Sequence, residues 1–202
     1  MSKRVYISAD YDPYDGDQAV AKELIKWGSD KLHKVDFIDM SQVSSGSVAS
    51  DSDCRICDLK LEFNRQINAS SAVIFVVGNK TGSRTAGNNC ERAYKNQNQC
   101  FCTPYKQNIN GTKACNVSSA SATSKNDDYG CINSCSYLRH EFEQAKRKNK
   151  RIIIVYNSTR KEPLWFPAYM KGYEDIAKPF WKFDSLGNKV GNYYYIKEVL
   201  EF

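Results

Sequence analysis

Two uninterrupted apolar runs, Ala72-Val-Ile-Phe-Val-Val77 and Ile152-Ile-Ile-Val155, constrain this chain more than any other feature. A strand with one wet face alternates apolar and polar residues. A β-branched run without alternation is a strand covered on both faces, which is the habit of parallel sheets. The flanking sequence supplies the helices such a sheet needs. Val5-Tyr-Ile-Ser8 reads as a first strand, and an acidic loop runs from Ser8 to Asp17. Asp17 is placed to cap a first helix carrying Val20, Leu24, Trp27 and Lys31 on one face. Val35 to Met40 alternates and reads as a second strand, and Ser41–Asp53, rich in Ser, Gly and Asp, reads as a loop. Asp58 is placed to cap a second helix with Leu59, Phe63 and Ile67 on its core face, and Gly78 suits a turn after the third strand.

Residues 79–135 break the pattern. They carry almost no apolar periodicity and are loaded with Asn, Ser, Thr, Gly and Cys. A stretch of this length inside a compact domain is expected to be functional or internally stapled. It reads as a Cys-rich insertion in a single domain spanning 1–202. Order resumes with a helix whose stripe is Leu138, Phe142 and Ala145, leading into the strand at Ile152. Pro163-Leu-Trp-Phe-Pro167, a short strand at Phe180–Phe183, a hairpin-like Ser185-Leu-Gly-Asn188 and a final helix from Tyr193 to Phe202 complete the chain. The alternation predicts an α/β fold of about five parallel strands with helices on both faces, and a ligand cleft beyond the carboxyl ends of the strands.

Within the helix at 138–145, Glu143 has Arg147 four residues on, an ordinary surface pair. Glu141 has no local cation: its neighbours at three and four positions are Leu138, Gln144, Tyr137 and Ala145. It flanks the core stripe and is a candidate for chemistry. The helix dipole offers a second reading, because an acidic residue near a helix start is favoured in any case. His140 and His33 are the only histidines. His33 reads as a surface residue; His140, beside Glu141, has a pocket-facing reading as well, with the helix surface preferred.

Composition narrows the partners. The chain has 202 residues, 12% aromatic and 41% apolar, with a net charge of +6. That supports one sizeable core. The basic residues form no long tract, and their densest cluster, Lys146–Arg151, ends a helix where cations complement the dipole. Neither a nucleic acid nor a membrane is expected as partner. No apolar run approaches the ~20 residues that span a bilayer, and Met1-Ser-Lys-Arg leads straight into the first strand, so a cytoplasmic location is expected. No GxGxxG or phosphate-loop pattern occurs, which disfavours a Rossmann dehydrogenase.

Taken in order, Arg4-Val-Tyr-Ile-Ser-Ala-Asp10, Asn68-Ala-Ser-Ser-Ala-Val-Ile-Phe-Val-Val-Gly78 and Tyr137-Leu-Arg-His-Glu-Phe-Glu-Gln-Ala145 resemble the Toll/interleukin-1 receptor (TIR) domain family, in its bacterial branch of the Thoeris anti-phage type. The resemblance covers roughly 3–78 and 136–202; the Cys-rich insertion departs from the minimal domain, and Tyr137-Leu stands where Trp-Val is common. It implies a flavodoxin-like fold with Glu141 at the position of the glutamate that breaks the nicotinamide–ribose bond of NAD. NAD would be the substrate, no cofactor would be required, and a water, an internal atom or another nucleophile would receive the ADP-ribosyl group. The product would be a nucleotide messenger for a separate effector protein, and activation would involve homo-oligomers. Ser8, Ala9, Asp10 and Tyr11 would lie against the nicotinamide riboside. Asp39, Met40 and Ser41, together with Gly78, Asn79, Lys80 and Tyr137, complete the candidate pocket, although strand ends and turns explain several of these equally well.

Eight cysteines remain. Cys54-Arg-Ile-Cys57 is a CxxC, and six more lie in or beside the insertion. A structural zinc with Cys54 and Cys57 among its thiolates is one reading; disulfides and independent thiols are the others. Two rival functions stay open: a non-catalytic TIR-type interaction module, and a nucleoside deoxyribosyltransferase-like enzyme with the same layout.

Overall fold

The computed structural model describes residues 3–12, 14, 16–29, 35–39, 55–84, 107–108, 111–112 and 136–201, with the side chains of 55–58, 61 and the two short segments at 107–112 outside the description. Strand β1 spans Lys3–Ser8, helix α1 Gln18–Gly28, β2 Val35–Asp39, α2 Arg55–Ala69 and β3 Ala72–Val77. A two-residue pair, β4 (Gln107–Asn108) and β5 (Gly111–Thr112), lies within the predicted insertion. Helix α3 (Tyr137–Arg147) and β6 (Arg151–Tyr156) follow, then three short 3-10 turns, β7 (Lys178–Pro179), β8 (Trp181–Phe183), β9 (Lys189–Gly191) and α4 (Tyr193–Leu200).

The main sheet has five parallel strands in the order β2-β1-β3-β6-β7. This is the α/β, flavodoxin-like arrangement that the two apolar runs require. All six residues of β3 are buried, because helices cover both of its faces. On one face α1 and α4 bring Val20, Leu24, Ile196 and Leu200 against Val5, Ile7, Ile74 and Val155. On the other, α2 and α3 bring Leu59, Phe63, Ile67, Phe142 and Ala145 against Tyr6, Phe75 and Ile154. At 25 cal/mol per Å² of apolar surface, burying each such side chain contributes about 1.5–3 kcal/mol. No described helix is long and apolar enough to cross a membrane.

Several expectations shift in detail. The fifth strand of the main sheet is Lys178–Pro179, whereas Trp181–Phe183 pairs antiparallel with β9 in a separate hairpin whose turn holds Ser185–Asn188. Helix α2 starts at Arg55, so Asp58 lies inside it and not ahead of it. Asp17 precedes α1 but its side chain makes no cap bond, having been drawn to Asn157. Glu143 is buried and pairs with Lys146 at 3.5 Å, while Arg147 donates to Gln144 at 2.7 Å. Lys31, His33, Met40 and the Ser41–Asp53 loop lie outside the described residues, as does most of 79–135.

Opposite the strands' carboxyl ends, Lys3 and Arg151 tie down the last turn of α4. Lys3 donates to the carbonyls of Leu200 and Glu201, and Arg151 donates to the Val199 carbonyl at 2.8 Å. Cations at a helix carboxyl end oppose its dipole. A cavity of about 250 Å³ lies between these groups, but its cations are already spent on α4.

Candidate active site

Glu141 sits in the first turn and a half of α3, on the side that faces β1. Ser136 caps the helix, accepting from the Arg139 N–H at 3.0 Å. Leu138, Phe142 and Ala145 bury the stripe that seats α3 on the sheet. With the helix held that way, Glu141 is 0% exposed. Both of its oxygens are engaged by β1: Tyr6 Oη donates to Oε1 at 2.8 Å, and Ser8 Oγ donates to Oε2. Tyr6 and Ser8 are two residues apart, so the pleat points both to the same face of the sheet.

Burial pushes the Glu141 carboxyl up to about 8, against the hydrogen bonds from Ser8 and Tyr6 and the charge of Lys60, which pull it down. Tyr6 is in turn raised well above its ordinary value by burial and by the neighbouring carboxylate. Lys60, from α2, is fully buried, with its ammonium 5.9 Å from the centre of the Tyr137 ring. Tyr137 also meets Phe63 edge-on at 5.5 Å. Tyr169, from the second 3-10 turn, is raised well above its ordinary value by burial, with the Glu141 charge adding to the effect. The result is one buried carboxyl group with a hydroxyl donor on each oxygen and a buried cation whose charge reaches it.

His140 is not a surface residue. It is 1% exposed, and its Nε2 lies 3.2 Å from the Lys60 carbonyl and 3.0 Å from Asn64 Oδ1. A carbonyl oxygen only accepts, so Nε2 carries the proton. Burial drops the ring to about 3, so it is neutral at physiological pH. Its part is to lock α3 to α2.

The remaining predicted site residues divide. Ala9 is buried in the α1-side core and presents no group to a ligand. Asp10 and Arg84 pair at 2.5 Å beside the end of β1. Tyr11 is half-buried and packs at the rim of both cores. Asp39 is buried at the end of β2, and its charge reaches Tyr6. Asn79 and Lys80 are exposed on the turn after β3. Gly78 serves a close approach: a Cβ there would run into the Asp17 carboxylate. Asp17 accepts from Asn157 Nδ2 at 2.8 Å, and burial raises it to about 6. Met40, Ser41 and Cys54 lie outside the described residues, and so does the side chain of Cys57.

Lys60 and Tyr6 are the residues that sequence reasoning missed. Tyr6 is legible in the sequence only as a residue of the first strand. Lys60 carried one signal: it follows Leu59 next to the core stripe of α2, close to where a lysine is usually solvated.

The fold and this enclosed carboxyl define the class: an α/β protein of flavodoxin-like topology with a polar cluster under the carboxyl ends of its strands. No family model matches the chain, and no curated protein matches it.

Proposed function

We propose that the chain is a TIR-family enzyme that cleaves the nicotinamide–ribose bond of NAD, with Glu141 as its catalytic residue. The observation that carries this reading is the Glu141 carboxyl, buried beneath the strand ends with a hydroxyl donor on each oxygen. Nicotinamide leaves NAD as a neutral molecule from a cationic pyridinium, so no general acid is needed. The bond breaks through an oxocarbenium-like state, as in glycoside hydrolysis. A single ionised carboxylate beside the ribose stabilises that developing charge.

Two consequences follow from the geometry. On this reading ribose hydroxyls take over from Tyr6 and Ser8, which hold the carboxylate in the free chain. Because Glu141 is 0% exposed, that exchange requires the cover over it to open. A carboxyl held near 8 is also mostly neutral at pH 7. A cationic nicotinamide riboside brought beside it favours the ionised form, which couples charging of the catalyst to arrival of the substrate.

The product on this reading is an ADP-ribose-derived nucleotide, which a separate effector protein would receive in anti-phage defence in the cytoplasm. Opening of the site is assigned to assembly of copies of the chain. The test is nicotinamide release from NAD by the purified wild type and by Glu141→Ala, with products resolved by mass. Release by the wild type alone supports the reading, and the mass names the acceptor. No release from folded protein, alone or with infected-cell extract, overturns it. Exchange of bases between nucleosides would instead mark a deoxyribosyltransferase.

A further inference from the structure

The sheet order β2-β1-β3 places a topological switch point at β1 and β3: the chain leaves β1 for one side and arrives at β3 on the other. In open α/β sheets the crevice outside the carboxyl ends at that point is where ligands sit. One ion-pair cluster bridges it. Arg84, on the turn after β3, sends Nε to Asp10 Oδ2 at 2.5 Å and Nη2 toward Asp12 Oδ2 at 3.6 Å, both on the loop after β1.

The bonding of the two acids is divided. Asp10 uses Oδ1 to accept from the Asp12 N–H at 3.0 Å, and Asp12 uses Oδ1 to accept from the Tyr14 N–H at 2.9 Å. The loop is closed further by Gly16 N–H to the Asp12 carbonyl at 3.1 Å and Asp17 N–H to the Asp10 carbonyl at 2.6 Å. Each acid therefore keeps one oxygen for its own loop and offers the other to Arg84. On the opposite side, Arg84 N–H and Ser83 N–H bond back to the Lys80 carbonyl at 3.1 and 3.0 Å. Both loops therefore carry internal bonds beside the bridge between them.

We propose that Arg84 is a phosphate-binding latch: its guanidinium exchanges Asp10 and Asp12 for the diphosphate of a nucleotide entering the crevice between β1 and β3. This rests on the proposed function for the identity of the nucleotide, and it deepens that reading by naming the group that holds the phosphates. The Arg84 and Asp12 side chains are 31% and 33% exposed, so solvent screens that pair and it exchanges readily; the Asp10 side chain is 11% exposed and holds Arg84 at 2.5 Å, and this is the bond a diphosphate must outcompete. A guanidinium meets two phosphate oxygens in a bidentate fork, a stronger arrangement than its 3.6 Å reach to Asp12. Lys80, exposed at the start of the same turn, adds positive charge. The two aspartates compete with the phosphates for Arg84, and they thereby weaken binding of any nucleotide too poor in charge to displace them.

Competition gives the test a sign that a structural ion pair lacks. Titrate the full chain with ADP and, as the uncharged control, adenosine, using wild type, Arg84→Met, Arg84→Lys and Asp12→Asn, each verified folded by circular dichroism. Arg84→Met should weaken ADP about tenfold or more and leave adenosine unchanged, with Arg84→Lys between. Asp12→Asn should tighten ADP, because it removes a competitor. The latch is overturned if the wild type does not bind ADP at millimolar concentration. It is also overturned if Arg84→Met leaves ADP affinity unchanged, or if Asp12→Asn weakens ADP as Arg84→Met does. The two readings separate cleanly. Nicotinamide release with ADP affinity insensitive to Arg84 would sink the latch alone, and ADP discrimination without nicotinamide release would sink the NAD-cleaving reading alone.

Discussion

Glu141 carries a cost that an ordinary core residue would not. An isolated carboxylate is strongly disfavoured in a low-dielectric interior, and it answers by holding its proton. Three groups act against that: Tyr6 and Ser8 by hydrogen bonding and Lys60 by charge. Among the described residues, Tyr6 on β1, Tyr169 on its 3-10 turn and Lys60 on α2 are titratable groups that couple electrostatically to this carboxyl. If the ionised form does the chemistry, kcat/KM for NAD rises with pH along a limb whose midpoint is near 8. Lys60→Met removes the cation that lowers the Glu141 pKa, so the limb should move to higher pH. A loss of activity at every pH with the midpoint unmoved would show that Lys60 serves packing only. Measuring the profile on variants of equal thermal stability separates the two.

At the scale of elements, the junction of three strand ends depends on Gly78. Asp17 at the start of α1 reaches Asn157 after β6 across the space that Gly78 leaves open beyond β3. Asn157 in turn accepts from Trp181 Nε1 at 2.7 Å, which ties in the β8–β9 hairpin. Gly78→Ala places a methyl group against the Asp17 carboxylate, and overpacking of this kind costs about 1–3 kcal/mol. Thermal unfolding should fall by several degrees, and an unchanged midpoint would mean the junction relaxes freely. This junction also shows what the sequence could and could not display. The stripe of Leu138, Phe142 and Ala145 and the run of β3 were legible because period and run length are local properties. Asp17 reads as a helix cap because its neighbours suggest one, while its partner lies 140 positions away. Glu141 was legible as an oddity by its missing local cation, but its donors come from 135 and 133 positions away. His140 and Lys60 were misjudged or missed for the same reason: their burial is made by α2 packing on α3, 80 positions apart in the chain. Only long-range packing decides whether a polar residue beside an apolar stripe faces water.

Over the whole molecule, buried groups with displaced pKa values set how stability answers to pH. His140 is lowered to about 3 from 6.5, so its contribution is present above pH 6.5 and is lost as pH falls toward 3. Glu141 is raised from 4.5 to about 8, so its folded form keeps a proton that the unfolded chain has released. Its contribution is complete below pH 4.5 and is lost as pH rises toward 8. Asp17 acts in the same sense over 3.8 to about 6. Of these three, only Glu141 titrates in the folded chain above the point where unfolded His140 has lost its proton. The stability of the wild type should therefore fall between pH 6.5 and 8, by about 1.4 kcal/mol per unit at most. Glu141→Gln keeps a hydrogen-bonding group of the same shape and removes the titration. Its unfolding midpoint should match the wild type near pH 4 and exceed it by several degrees at pH 8. Denaturation curves for the two proteins that run parallel across that range would mean the carboxyl is solvated in the folded chain. Divergence with rising pH, together with loss of nicotinamide release in the same variant, would identify the group that makes the fold less stable as the one that makes it active.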